Sequence, residues 1–300
     1  MPTVLCVGEP IVDLIAQTPS GSGDGPRYTP HLGGTAANIA VVAARVGARV
    51  ALAGAIGDDR LGGWLREQLA AEGVDVSRCL TRDGVASAQV VVSFDVGGEP
   101  AYEPRGEITE ALPPALGDDV DRLLDGVSGV LLTSNTLAGA DERALTMRIR
   151  ERALAGGRPV LLDCDLRAHR WSSRTDAIAT VNACVPDALL VRANWEEAAM
   201  LTGEDDPQRA ATALRKAGAG VVVITLGGDG ALLRGASGVR VDARAPAVDV
   251  ISPIGAGDAL TGTLVAALER SGYYPDAAAA ALQDAVAAAA QACTHWGAVD

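Results

Sequence analysis

The chain has 300 residues, 48% hydrophobic and 21% charged, which is enough apolar material for a large core and excludes disordered and fibrous classes. A net charge of -13 argues against nucleic acid or an anionic membrane as partner, so basic residues near a site must hold any anionic ligand. Five scattered cysteines, odd in number and without C-x-x-C spacing, predict buried thiols in a reducing cytoplasm rather than disulfides or a metal cluster.

The N-terminal run "MPTVLCVGEPIVDLI" lacks a basic segment and is interrupted by Glu9 and Asp13, unlike a signal peptide. No uninterrupted apolar stretch is long enough to cross a bilayer. In chain order, strands are expected at 4–8, 50–57, 129–133, 159–165, 188–194 and 221–228. Helical spacing fills 35–46, 61–72, 141–155, 195–202, 207–217, 257–270 and 276–294. Alternating β and α segments, with strands apolar on both faces, predict one α/β domain whose parallel sheet is covered by helices on either side. Two stretches break the rhythm. Residues 16–30 are rich in Gly, Ser and Pro, and 87–104 alternate in polarity around "DVGGE", a hairpin signature. Both are expected in a small antiparallel sheet, as an edge hairpin or as a lid over the carboxyl ends of the parallel strands (segments of about 14–32 and 86–106).

No dinucleotide fingerprint or P-loop follows the first strand; "GEPIVD" stands there, with Asp13 at its end. Gly33 and Gly34 open a helix and allow close backbone approach, and Asn38, one turn in, can donate and accept toward hydroxyls or serve as helix surface. "LLDCDLRAHRW" ends a strand with Asp163, Asp165 and Arg167, and "VRANWEEA" ends another with Asn194 and then Glu197. Each is either strand-end decoration or part of a site. "VVVITLGGDG" runs a buried strand through Thr225 into a turn at Gly227 to Gly230, where backbone can meet phosphate. In "SPIGAGDALTG", Gly255, Ala256 and Gly257 leave bare amides at a helix start, a natural anion site. Asp258 beside them reads as an N-cap or as a base, and the stretch taken alone favours the cap.

Taken together, "GEPIVDL", "GGTAANIAVVAARVG", "DCDLR…W", "NWEEAAMLTG", "ITLGGDGALL" and "GAGDALTG" resemble the PfkB-type carbohydrate kinases of the ribokinase-like superfamily, from residue 4 to about 297. The resemblance implies a three-layer α/β fold with a small β lid and transfer of the ATP γ-phosphoryl to a sugar hydroxyl. Asp258 would be the general base, with Gly255, Ala256 and Gly257 as the anion hole. Asn194 and Glu197 would organise Mg²⁺ through its waters, and Thr225, Gly227 and Gly230, with Asn194, would border the nucleotide. Asp13, Gly33, Gly34, Asn38, Asp165 and Arg167 fall where family members hold the sugar. The pattern is most similar to fructokinases and 2-keto-3-deoxygluconate kinases, and Arg167 would suit a sugar acid. A nucleoside kinase and a non-catalytic sugar- or nucleotide-binding relative are the alternatives, the former with few stacking partners among 3% aromatics. Asp165 stands where the family usually has asparagine, Ser252 where it has aspartate, Ile254 where it has threonine, and Val286 where a polar residue often faces adenine. The resemblance therefore implies ATP and Mg²⁺, a weak monovalent-cation site, and a homodimer through the lid.

Overall fold

Val4 and Cys6 of β1 (Thr3–Val7) face one hydrophobic layer, Leu5 and Val7 face another, and all four are fully buried. A strand apolar on both faces needs helices on both sides. The computed structural model describes residues 3–17, 27–94, 100–105, 116 and 119–299. After β1 come β2 (Ile11–Ala16), β3 (Tyr28–Gly33), α1 (Thr35–Arg45), β4 (Val50–Gly57), α2 (Arg60–Ala71) and β5 (Cys79–Arg82). Then follow β6 (Gln89–Phe94), β7 (Pro100–Arg105), the short α3 (Val120–Leu123), β8 (Val127–Thr133), α4 (Ala140–Ala155), β9 (Val160–Asp163) and α5 (Arg174–Cys184). The last third runs β10 (Ala188–Asn194), α6 (Trp195–Thr202), α7 (Pro207–Lys216), β11 (Val221–Thr225), β12 (Ala231–Arg234), β13 (Arg240–Ala243), α8 (Ala256–Arg270) and α9 (Pro275–Ala292).

The large sheet has the order β13-β12-β11-β10-β9-β8-β1-β4-β5. Its strands are parallel from β11 to β5, while β12 and β13 add antiparallel at the edge. One face is covered by Ile39 and Val41 of α1, Leu65 and Leu69 of α2, Leu264 and Leu268 of α8, and Leu282 and Val286 of α9. The other carries Leu145 and Ile149 of α4, Val181 of α5, Leu201 of α6 and Leu214 of α7. The three layers and the expected helices are therefore present. The strand expected over 221–228 stops at Thr225, because Gly227 to Asp229 turn the chain back to pair β12. α5 was not foreseen: its buried residues are the small or short Ala177, Val181 and Cys184, too weak a stripe to read.

The small sheet has the order β3-β2-β6-β7. It is mixed, not wholly antiparallel as expected from sequence. β2 pairs β3 antiparallel and β6 parallel, since a crossover through the main body separates β2 from β6. The hairpin over 87–104 is seen as β6 and β7, in register from Gln89↔Arg105 to Phe94↔Pro100. Its "DVGGE" turn and residues 18–26 of the first segment lie outside the described residues.

Strand order reverses at β1, which is followed by β4 on one side and flanked by β8 on the other. The crevice beyond the carboxyl ends at such a reversal is where open α/β sheets bind ligands.

Candidate active site

Helix α8 begins at Ala256 behind Gly255, which takes the left-handed φ of 81°. A side chain at Gly255 would be strained there and would run into Ala298. Among the described residues no side chain caps α8; Ala256 N turns back to Pro253 O at 3.4 Å, and the amides that follow meet an anion at the positive end of the dipole. Asp258 is therefore not the N-cap. It lies in the first turn, and its Oδ2 accepts a hydrogen bond of 2.8 Å from Asn38 Nδ2 on α1. Burial pushes the Asp258 carboxyl up to about 8; the charges of Asp165 and Asp163 push the same way, while Asn38 and Arg167 oppose them.

A second set of polar groups gathers at the carboxyl ends of β1, β8 and β9. Asn135 Nδ2 donates to Glu9 Oε1 at 3.1 Å and to Asp165 Oδ2 at 3.3 Å. Thr35 Oγ1 donates to the same Asp165 oxygen at 2.5 Å, and Arg167 Nε at 3.1 Å. Arg167, expected to meet a substrate carboxylate, is thus already paired within the chain. The glycine pair is closely packed against this cluster. A Cβ at Gly33 would lie 2.6 Å from Asp13 Oδ2, and one at Gly34 would strike the Glu9 carbonyl. Burial raises the Asp13 carboxyl to about 6, opposed by Arg167 and His31. Asn38 Oδ1 and Glu9 Oε2 are buried acceptors without a partner among the described residues. Such atoms call for a donor, and sugar hydroxyls are donors of that kind.

Asn194 and Glu197 form a capping box at the start of α6: Asn194 Oδ1 accepts from Glu197 N, and Glu197 Oε2 from Asn194 N, both at 2.8 Å. Glu197 Oε1 accepts from Leu166 N at 2.7 Å, joining α6 to the end of β9. Burial holds this carboxyl above its ordinary range. Thr225 closes β11 and accepts at Oγ1 from Arg192 Nη2 at 3.1 Å. Apart from its chain neighbours, no atom of the described residues comes within 4 Å of a Cβ built on Gly227. Gly230 is required by the backbone of 243–245, which a Cβ would strike, and its N donates to Gly227 O at 3.1 Å.

Set beside known proteins, residues 1–300 match the model of the pfkB family carbohydrate kinases. The chain belongs to that family. The PfkB chain is 32% identical over 305 residues to aminoimidazole riboside kinase of Salmonella typhimurium, covering 100% of this chain and 91% of that one. It is 31% identical to 2-dehydro-3-deoxygluconokinase of Thermoproteus tenax, over 97% of this chain and 88% of the other. Its fold overlays fructokinase from Vibrio cholerae O395, bound to fructose, ADP and calcium ion, with a TM-score of 0.82 and 27% identity, over 100% and 95% of the two chains. Membership carries the general activity of the family, ATP-dependent phosphorylation of a sugar or nucleoside.

ATP with Mg²⁺ is typical of PfkB kinases. The residues present fit Mg²⁺ held through water. Each Glu197 oxygen has one accepted hydrogen bond and a lone pair to spare, and the ion favours oxygen ligands and retained waters. Among the described residues, no group of three or more His, Cys, Asp or Glu forms a ready-made metal cage. No described helix is long and apolar enough to cross a membrane.

The sequence did not single out Glu9, Asn135 or Arg192 as members of these groups. Arg192 left one trace: a lone charge inside the apolar run "ALLVRAN" must find a partner when buried. Val286, flagged as an adenine-facing position, is buried in the core beside Leu282.

Proposed function

We propose that this PfkB-family chain transfers the γ-phosphoryl of ATP to a hydroxyl of a small sugar or sugar acid, either a fructose-like ketose or a 2-keto-3-deoxygluconate-like acid. The observation that carries the reading is Asp258, a carboxylate raised to about 8, one turn into an uncapped helix start and oriented by Asn38. A base poised near the working pH takes a proton most effectively. In the proposed step the acceptor oxygen attacks the γ-phosphorus, its proton passes to Asp258, and the bond to the bridging oxygen breaks to release ADP. The amides of Gly255, Ala256 and Gly257 hold the charge of the transferring group. Asp13, Gly33, Gly34, Asn38, Asp165 and Arg167 position the acceptor, while Asn194, Thr225, Gly227 and Gly230 border the nucleotide. Asn194 and Glu197 would hold waters of Mg²⁺, which supplies charge neutralisation to the phosphates.

A riboside acceptor is the second reading, favoured by the 32% identity to aminoimidazole riboside kinase. The test is coupled ADP release with a panel of ketoses, aldoses, sugar acids and nucleosides. Turnover on a sugar or sugar acid is expected; exclusive turnover on nucleosides selects the second reading, and none at all favours a non-catalytic binding protein. With the best acceptor, Asp258→Asn should lower kcat by about 10²–10⁴-fold, or roughly 3–5 kcal/mol of barrier, with ATP affinity little changed. A variant keeping more than about a tenth of kcat removes Asp258 from the role of base. The proposed oligomer is a homodimer through the small sheet, and sedimentation should show a particle of twice the 30.5 kDa chain mass.

A further inference from the structure

Arg192 stands on β10, two residues before Asn194, and is 8% exposed. Its guanidinium reaches three elements. Nη1 donates to Asp163 Oδ1 at 3.2 Å at the end of β9, and Nη2 to Thr225 Oγ1 at 3.1 Å at the end of β11. The third is the first turn of α8, where a Cβ on Gly257 would lie 2.7 Å from Nη2, 2.8 Å from Nη1 and 3.0 Å from Cζ. Those are the three atoms nearest to that position, so the Nη1–Nη2 edge of the guanidinium takes the space of a side chain at Gly257. Asp163 in turn accepts from Thr261 Oγ1 at 2.5 Å, one turn beyond Asp258 on the same helix. Asp163 and Thr261 are fully buried. Arg192 Nε has no partner among the described residues. A buried charge is retained at a cost unless its geometry is used. Here the planar fork bridges two strands and a helix start, as a flexible ammonium cannot.

We propose, resting on the kinase reading above, that Arg192 is a positioning residue for phosphoryl transfer. It fixes the α8 amides in register with the ends of β9 and β11 and backs the anion hole with positive charge across the thickness of Gly257. Gly257 is then glycine because a guanidinium occupies the space of its side chain. Positioned donors act most strongly where charge develops in the transition state, so the loss should fall on kcat.

The test compares wild type with Arg192→Lys and with the double variant Asp163→Asn/Arg192→Gln, which removes the two hydrogen-bonded charges together. Circular dichroism selects folded variants. Two readouts are taken: coupled ADP release with the best acceptor, and calorimetric binding of inorganic tripolyphosphate, which needs no turnover. The double variant should lose about 100-fold in kcat and at least tenfold in tripolyphosphate affinity, with the acceptor KM within about threefold; the lysine variant should fall between. A merely structural arginine would lower stability and leave that split unmoved. Folded variants that keep both kcat and tripolyphosphate affinity within threefold overturn the proposal. So does a wild type that binds no tripolyphosphate. Wild type that binds it, and loses it in the variants, but turns over no acceptor sinks the kinase reading while Arg192 keeps its place at the anion site.

Discussion

A raised carboxyl costs the fold whenever it ionises. Asp258 sits at about 8 in the folded chain, against an ordinary value of 3.8. Between these values the native state binds the extra proton, so stability falls as pH rises across that window, and the loss is complete above about 8. Asp258→Asn removes the ionisation, so its Tm should exceed that of wild type by more at pH 9 than at pH 5, the two drawing level only near 3.8. Equal thermal profiles at both pH values would show that the carboxyl is not raised. On the proposed role the same ionisation switches activity on, so the acid limb of kcat/KM should fall near pH 8. Asn38 favours the ionised form by its hydrogen bond, and Asn38→Leu should move that limb upward. A limb at pH 4 to 5 in wild type would assign the base elsewhere.

At the scale of elements, the segment leading into α8 decides what can bind beside the anion hole. Ser252 is buried, and its Oγ accepts from Ile254 N at 3.2 Å, so the hydroxyl is turned into its own turn. Ile254 offers hydrocarbon, and neither residue supplies the charge that a partly dehydrated K⁺ needs. Activity measured in Na⁺, K⁺ and tetramethylammonium buffers at one ionic strength should therefore differ little. A rise of tenfold or more specific to K⁺, about 1.4 kcal/mol, would show a working cation site. Helix α6 illustrates a motif with two duties. The spacing of Asn194 and Glu197 was legible as a chemical signature, and the structure shows the same two side chains capping the helix. Asn194→Ala should cost about 1 kcal/mol in denaturant unfolding through the lost cap alone. Any additional loss in KM for Mg-ATP then reports on the proposed nucleotide role.

At the scale of the molecule, the small sheet is tied to the main body next to the candidate site. Ser87 N, just ahead of β6, donates to Asp59 Oδ2 at 2.9 Å at the start of α2, and Gly33–Gly34 leads directly from β3 into α1. If it closes over the acceptor, amides of β2 and β6 should exchange more slowly with sugar and a non-hydrolysable ATP analogue bound together. Unchanged exchange at saturation would make the sheet an edge decoration. The large sheet sets the frame against which such closure happens, because its central strands are buried on both faces. Leu131 and Leu161 are fully buried, and replacing either by alanine should cost about 2–5 kcal/mol of stability, measured by denaturant unfolding.

The sequence by itself determined the α/β alternation, most helix starts, and a glycine-rich turn ahead of Asp258. Each of these is local, fixed by periodicity or by backbone chemistry within a few residues. Antiparallel β12 and β13 were not legible, since four residues carry no direction and β13, RVDA, is half charged. Nor was the membership of the site. Asn38 and Asp258 are 220 residues apart, Glu9 and Asn135 are 126 apart, and Arg192 meets Gly257 only through the packing of α8 on the sheet. A polar residue at a strand end looks the same in sequence whether it decorates the surface or faces a ligand. Tertiary structure separates the two cases because strand order permutes the chain, placing β1 between β8 and β4, so that distant strand ends come together. There a carboxylate is raised, an arginine must find a partner, and an unpartnered acceptor is left for a hydroxyl.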